Sequence, residues 1–294
     1  MEVNVPRRSL LLATLAACSR QSSPVASQAP QGYDLHDWSF SGSAGGSERV
    51  VVLVPQGAGP YPVLMALHGR GEAVRGAEVG AYAWLRDYRI GEALAALHRG
   101  KLTEEDFARL AVPSRLSELN RGLSKVPFGG MILVFPHAPD FPGATREELT
   151  DRYGVWLLEV LLGRLHTSFP GVSSVGIDGV SMGGRMALRI GLQHPEVFAT
   201  VGSLQAAIRP EDASRLVEMA RRYRQVRPGG RLRLLTSEGD FFREAILEAH
   251  RALQQASIHH EFLEVAGPHN YQFNRGPGAI EMLLWHDRAL RGVG

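Results

Sequence analysis

The chain has 294 residues, 44% of them hydrophobic, with 32 basic and 30 acidic side chains and a formal charge of +2. That length and apolar content suit one large domain with a sizeable core, and the balanced charge excludes the basic footprint of a nucleic-acid partner. The only cysteine, Cys18, excludes an intramolecular disulfide, so packing alone must hold the fold.

The chain opens with MEVNVPRRSLLLATLAAC. Arg7 and Arg8, then an apolar run from Leu10 to Ala17, then small residues give the layout of a bacterial export signal. The run is too short to span a bilayer as a permanent helix, which takes about 20 residues. LAAC resembles a lipobox, and PRRSLL loosely resembles a twin-arginine signal; the lipobox reading is preferred. Residues 1–17 are therefore expected to be removed as a lipoprotein-type signal peptide, with Cys18 carrying the lipid. The mature protein is then expected in the bacterial cell envelope, periplasmic or on the outer face of a membrane, touching that membrane through its anchor only. Residues 18–31 are polar, small and proline-containing, which predicts a flexible tether, and residues 32–294 read as the folded domain. No repeat with a period of about 20 to 50 residues interrupts it.

Within the domain, ERVVVLVP (48–55), the turn QGAGPYP and VLMALHG (63–69) predict strand, turn and strand, an antiparallel start to a mixed sheet. Residues 72–127 have helical spacing, with a helix start at Thr103 and Asp106 three residues on, and read as an insertion. MILVFPHAP (131–139) predicts a buried strand, and 146–169 a helix stopped by Pro170. SSVGIDGVS then enters the helical MGGRMALRIGLQHP. Strands over 198–205, 231–237 and 259–267 alternate with helices over 210–226, 241–256 and 278–291. This alternation predicts an α/β fold, a mostly parallel central sheet with helices on both faces and ligands at the carboxyl ends of the strands.

One of those strand ends carries Gly179, Ser181 and Gly183, a G-x-S-x-G sequence between strand and helix. A sharp turn there lifts a serine hydroxyl clear of the sheet, and the flanking glycines avoid side-chain clashes. The alternatives are a nucleotide-binding turn and an ordinary serine helix cap. Against the first, this turn lacks G-x-G-x-x-G and the chain lacks G-x-x-x-x-G-K-[ST].

A serine nucleophile needs a base, and the base needs an acid to fix its tautomer. Downstream, RLRLLTSEGD ends a strand and offers Glu238 and Asp240; Asp240 is preferred for its place on a loop reaching over the sheet edge, and a helix N-cap is its structural alternative. FLEVAGPHNYQF supplies His269 just past the last strand, whereas His259 and His260 read as structural. Backbone N–H groups for an oxyanion are expected from Met182 and, in LHGRGE, from Arg70, with His68 either steadying that loop or simply bonded in the core. Tyr82, Trp84, Tyr271 and Phe273 read as packing in preference to a substrate pocket.

The stretches YPVLMALHGRGE, GVSMGG, SEGDFFREA and AGPHN, in that order, resemble the α/β-hydrolase family, and more narrowly its esterase D and enterochelin-esterase-like branch, over about residues 48–291. The resemblance implies a serine hydrolase of carboxylic esters with no metal or organic cofactor, acting on a small-molecule or a lipid or polyester ester. It also implies two alternatives: an acyltransferase using the same triad, and a catalytically inactive lipid-anchored binding protein of the same fold. The insertion over 72–127 is longer than the usual link after the oxyanion loop, which suggests a cap over the site. NYQFNRGPG differs from the tryptophan-rich continuation of siderophore esterases, which argues against iron-siderophore cleavage.

Overall fold

The structure is a computed structural model and describes residues 28–41 and 47–293. The signal peptide, Cys18 and residues 18–27 of the tether lie outside the described residues. The strands are β1 (Tyr33–Ser41), β2 (Ser47–Pro55), β3 (Val63–Leu67), β4 (Ile132–Pro136), β5 (Val175–Gly179), β6 (Phe198–Leu204), β7 (Arg231–Gly239) and β8 (Glu261–Pro268). They form one sheet in the order β1-β2-β4-β3-β5-β6-β7-β8. β2 runs antiparallel to β1 and β4, and every neighbouring pair from β4 to β8 is parallel.

Two details depart from the sequence reading. β1 was not expected: YDLHDWSFS is an edge strand whose side chains are mostly half-buried or exposed, so it lacks a buried strand's apolar run. Nor do β2 and β3 pair. Val50 of β2 sits opposite Trp38 on one side and Pro136 on the other, so β1 and β4 occupy both edges of β2.

The parallel strands are apolar at nearly every position because both faces are covered. Val50, Val52, Met65, Leu67 and Val134 enter one core cluster, and the alternate residues Val51, Leu53, Leu64, Leu133 and Phe135 enter the other. The first cluster is roofed by α6 (Arg146–Trp156), α7 (Gly163–Ser168), α8 (Met182–Gln193), α9 (Ala213–Val226) and α10 (Arg243–Gln255). A π-helical segment, Leu157–Leu162, joins α6 to α7, so the helix expected over 146–169 is essentially continuous before Pro170.

The insertion between β3 and β4 comprises α1 (Arg70–Ala73), α2 (Ala77–Gly80), α3 (Ala83–Arg86), α4 (Ile90–Arg99) and α5 (Pro113–Lys125). It is not a separate lid. Ala83, Trp84, Tyr88, Ile90, Leu94 and Leu97 are buried in the second cluster with α12 (Ala279–Arg291), so these helices form the layer on that face of the sheet. The start predicted at Thr103 makes one 3-10 turn only, in which Asp106 Oδ2 accepts from both Thr103 N–H (2.7 Å) and its hydroxyl (2.9 Å). A short segment, α11 (Tyr271–Phe273), follows β8.

This topology places the site. From β3 the chain turns to β4 on one side and then to β5 on the other, so the loops leaving β3 and β5 diverge and open a crevice at their carboxyl ends.

Below the crevice, a fully buried polar network ties β5, β6 and α12 together. Asp178 Oδ2 bonds His286 Nε2 (3.0 Å), His286 Nδ1 meets Thr200 Oγ1 (2.7 Å), and Asp178 Oδ1 accepts Gly179 N–H (2.7 Å). Asp178→Ala strands the imidazole and removes the nearest carboxylate, 3.8 Å away, from the buried Arg233. The expected loss is about 3 kcal/mol of unfolding free energy, read from urea titration; an unchanged midpoint would contradict a structural role for the network.

Candidate active site

Ser181 lies between β5 and α8 with φ 56° and ψ −114°, a conformation that costs a non-glycine residue about 1–3 kcal/mol. The surroundings hold it there. Its N–H donates to Leu204 O (2.9 Å), and its carbonyl accepts from Arg185 N–H (3.0 Å) and Ala207 N–H (2.9 Å). A Cβ on Gly183 would overlap the carbonyl oxygens of Leu67 and His68, and one on Gly179 would overlap Gly183 and Leu67 O. Glycine is required at both positions because backbone meets backbone.

That contact sets the elbow against the end of β3, where α1 starts. Arg70 N–H and Met182 N–H each open a helix and donate to no acceptor among the described residues, as helix-initial donors do without a cap. Gly69 N–H is already engaged by Tyr88 OH (3.0 Å), so Arg70 N–H is the first open donor on this loop. The Arg70 side chain points outward to Asp140 (2.8 Å).

His68 anchors the loop. Its Nε2 accepts Ala138 N–H (2.9 Å), so its Nδ1 carries the proton and donates to Gly69 O (2.9 Å). Complete burial holds this ring neutral, with its pKa pushed down to about 3. It is both a backbone-bonded core histidine and the loop's support.

At the ends of β7 and β8, His269 Nδ1 lies 2.7 Å from Asp240 Oδ1. The carboxylate can only accept, so Nδ1 donates and Nε2 is left with its lone pair. Asp240 Oδ1 also accepts Phe242 N–H (3.0 Å) and Oδ2 accepts the Thr236 hydroxyl (2.7 Å), so one carboxylate both caps the turn before α10 and orients the imidazole. Glu238 lies at the exposed end of β7 and has no such partner among the described residues. His259 and His260 precede β8, where His260 pairs with His250 (2.8 Å).

Gln205, unremarked in the sequence, joins the two halves. It follows Leu204, the acceptor of Ser181 N–H, and its Nε2 donates to Ser237 Oγ (2.6 Å) and to Pro268 O (3.3 Å), the residue before His269.

Glu72 was also missed. Buried in the insertion, it accepts the hydroxyls of Tyr88 (2.5 Å) and Tyr271 (2.7 Å), so the loop after β3, the insertion and the segment after His269 share one carboxylate. Burial and that carboxylate push the Tyr88 phenol far above its usual range and the Tyr271 phenol up to about 12, so both remain donors. An isolated glutamate in an apolar-periodic stretch gives no sequence signal of this. Trp84 and Phe273 are core residues, as is most of Tyr82, whereas Phe241 is 81% exposed and stacks on His269 with 5.0 Å between ring centres.

A strained serine at a strand-to-helix turn, two open N–H groups beside it and a carboxylate-bound histidine share one end of a mostly parallel sheet. This is an α/β-hydrolase fold. The Esterase family model matches residues 134–273, a span containing Ser181, Asp240 and His269. No curated protein sequence matches the chain. Among solved structures, a ferulic acid esterase superposes with a TM-score of 0.65 at 15% identity, covering 87% of this chain and 99% of that one. S-formylglutathione hydrolase (FrmB) from Staphylococcus aureus gives 0.58 at 14% identity, covering 87% and 99%. The enterobactin esterase from Shigella flexneri gives 0.59 at 17% identity, covering 91% of this chain and 62% of that one. The likeness is thus to esterases of the α/β-hydrolase fold in general and does not single out one branch.

The neutral His68 makes a pH prediction. Unfolded, the ring takes a proton near pH 6.5; folded, only near pH 3. The unfolded chain therefore binds more protons in between, so stability is full above pH 6.5 and falls as the pH drops from there toward 3. His286, also lowered by burial, acts in the same direction. Denaturant midpoints taken from pH 7.5 to 4.5 should decline in the unaltered protein and decline less in His68→Asn; equal slopes would contradict the assignment.

Proposed function

We propose that this protein is a serine hydrolase of carboxylic esters, with Ser181 as nucleophile, His269 as general base and Asp240 as the acid that orients it. The observation that carries the reading is the 2.7 Å Asp240–His269 bond at the same sheet end as the strained Ser181. Ser181 Oγ attacks the ester carbonyl while His269 Nε2 takes its proton, and the carbonyl oxygen gains charge toward Arg70 N–H and Met182 N–H. The tetrahedral adduct expels the alcohol, which takes the proton from His269. Water, deprotonated by the same nitrogen, then attacks the acyl-Ser181 carbonyl and releases the carboxylic acid.

Exposed Phe241 stacks on His269, and the 40%-exposed Tyr271 follows two residues on, which favours an ester with an apolar group beside the scissile bond. LHGRGE and GVSMGG support a place in the esterase D and enterochelin-esterase-like branch. The LAAC stretch supports attachment to the cell envelope through a lipid on Cys18, which labelled fatty acid appearing on the unaltered protein but not on Cys18→Ser would support; an unlabelled wild type would reject it.

Hydrolysis of p-nitrophenyl butyrate tests the roles. Ser181→Ala should abolish turnover, Asp240→Asn should lower kcat by about 10³–10⁴-fold, and Glu238→Gln should stay within about twofold. Retained turnover in Ser181→Ala, or a larger loss in Glu238→Gln than in Asp240→Asn, would contradict the assignment.

A further inference from the structure

The reaction does not use every charged group around Ser181. α8 carries Arg185, Leu188 and Arg189 four, seven and eight positions after Ser181, the spacing of one helical face, with side chains tilted back toward the N-terminal elbow. Ile208 follows Ala207, whose N–H holds the Ser181 carbonyl, so it stands beside the same turn. These residues line a cavity that is closed by the starts of α6 and α9, including Arg146, Glu147, Asp212 and Arg215.

The charges in this cavity are unevenly matched. Arg189 is bound by Asp151 through two hydrogen bonds (2.5 and 2.6 Å), Arg215 is bound by Glu147, and Asp212 accepts Arg209 N–H (2.8 Å). Arg146 and Arg185 have no hydrogen-bond partner for their guanidinium groups among the described residues, and Arg146 Nε is fully buried without one. The two cations nevertheless line the same cavity, where burial foremost, and then the charge of Arg146, bring the Arg185 pKa down to about 10. Arg185 still carries its charge at neutral pH. Like charges held together in a partly dry site raise the free energy of the empty protein, and an anion between them removes that repulsion.

We propose that this cavity is a carboxylate-binding subsite, held by Arg146 and Arg185, that selects esters bearing a free carboxylate a short aliphatic linker away from the scissile carbonyl. The inference rests on the serine-hydrolase reading and names its substrate class. The lining holds four arginines, Arg146, Arg185, Arg189 and Arg215, against Glu147 and Asp212, and Asp151 outside it neutralises Arg189, which leaves one positive charge uncompensated; that matches a monoanion, and the same carboxylates repel a phosphate dianion. Leu188, Ile208 and Leu216 give the linker apolar walls.

The test compares p-nitrophenyl monoesters of glutaric and adipic acid with matched esters ending in a primary amide. In the unaltered protein, kcat/KM for the acid should exceed that for the amide by at least about tenfold in one of the two lengths, as a charge-assisted pair implies. In Arg185→Gln and in Arg146→Gln the acid-to-amide ratio should fall to within about twofold of one. A ratio near one in the unaltered protein overturns the proposal without reference to any variant, and so does a high ratio that both variants retain. Failure of the underlying reading has a different signature: Ser181→Ala would still hydrolyse the amide-ended esters.

Discussion

The carbonyl oxygens of Leu67 and His68 occupy the space that a Cβ on residue 183 would need, and the geometry of the site follows from this backbone contact. It presses the turn after β5, in which Ser181 is held at positive φ, against the end of β3. The same contact sets the end of β3, which leads into α1, against the first turn of α8. Such an approach is available only where neighbouring parallel strands send their loops in opposite directions, and β3 and β5 are that pair.

Around this contact, the carboxylates and the histidine that hold the geometry have their hydrogen bonds made, whereas the groups assigned to the reaction are free. Asp240 accepts from Thr236, Phe242 and His269, Glu72 from two tyrosines, and His68 both donates and accepts. By contrast, Ser181 Oγ, His269 Nε2 and the two helix-initial N–H groups engage nothing among the described residues. Fixed dipoles with open ends need no reorganisation when charge develops on a substrate, which is the main electrostatic advantage of such a site. Arg185, one helical turn after Ser181, and Arg146 on α6 are likewise left without hydrogen-bond partners for their guanidinium groups among the described residues.

Much of this was legible in the sequence because it depends on local pattern. Short apolar runs alternating with helical periodicity gave the sheet and its layers, and G-x-S-x-G marked the elbow because backbone contact demands glycine at both flanks. Asp240 and His269 were legible from their positions just past strand ends. What escaped depends on partners far apart in the chain. β1 is half-polar because it is an edge strand, and its pairing leaves β2 between β1 and β4, which no turn length reveals. The insertion looked like a cap because its length is unusual, yet its apolar face belongs to the core beside α12. Glu72, Gln205 and the arginine pair are ordinary polar residues until the fold buries them together.

The most direct measurement of the central claim is a crystal structure of the protein after reaction with a fluorophosphonate. Phosphorus is expected bonded to Ser181 Oγ, with the phosphoryl oxygen within hydrogen-bond distance of both Arg70 N–H and Met182 N–H and His269 Nε2 facing the adduct. An adduct on another residue, or a phosphoryl oxygen turned away from both N–H groups, would contradict it.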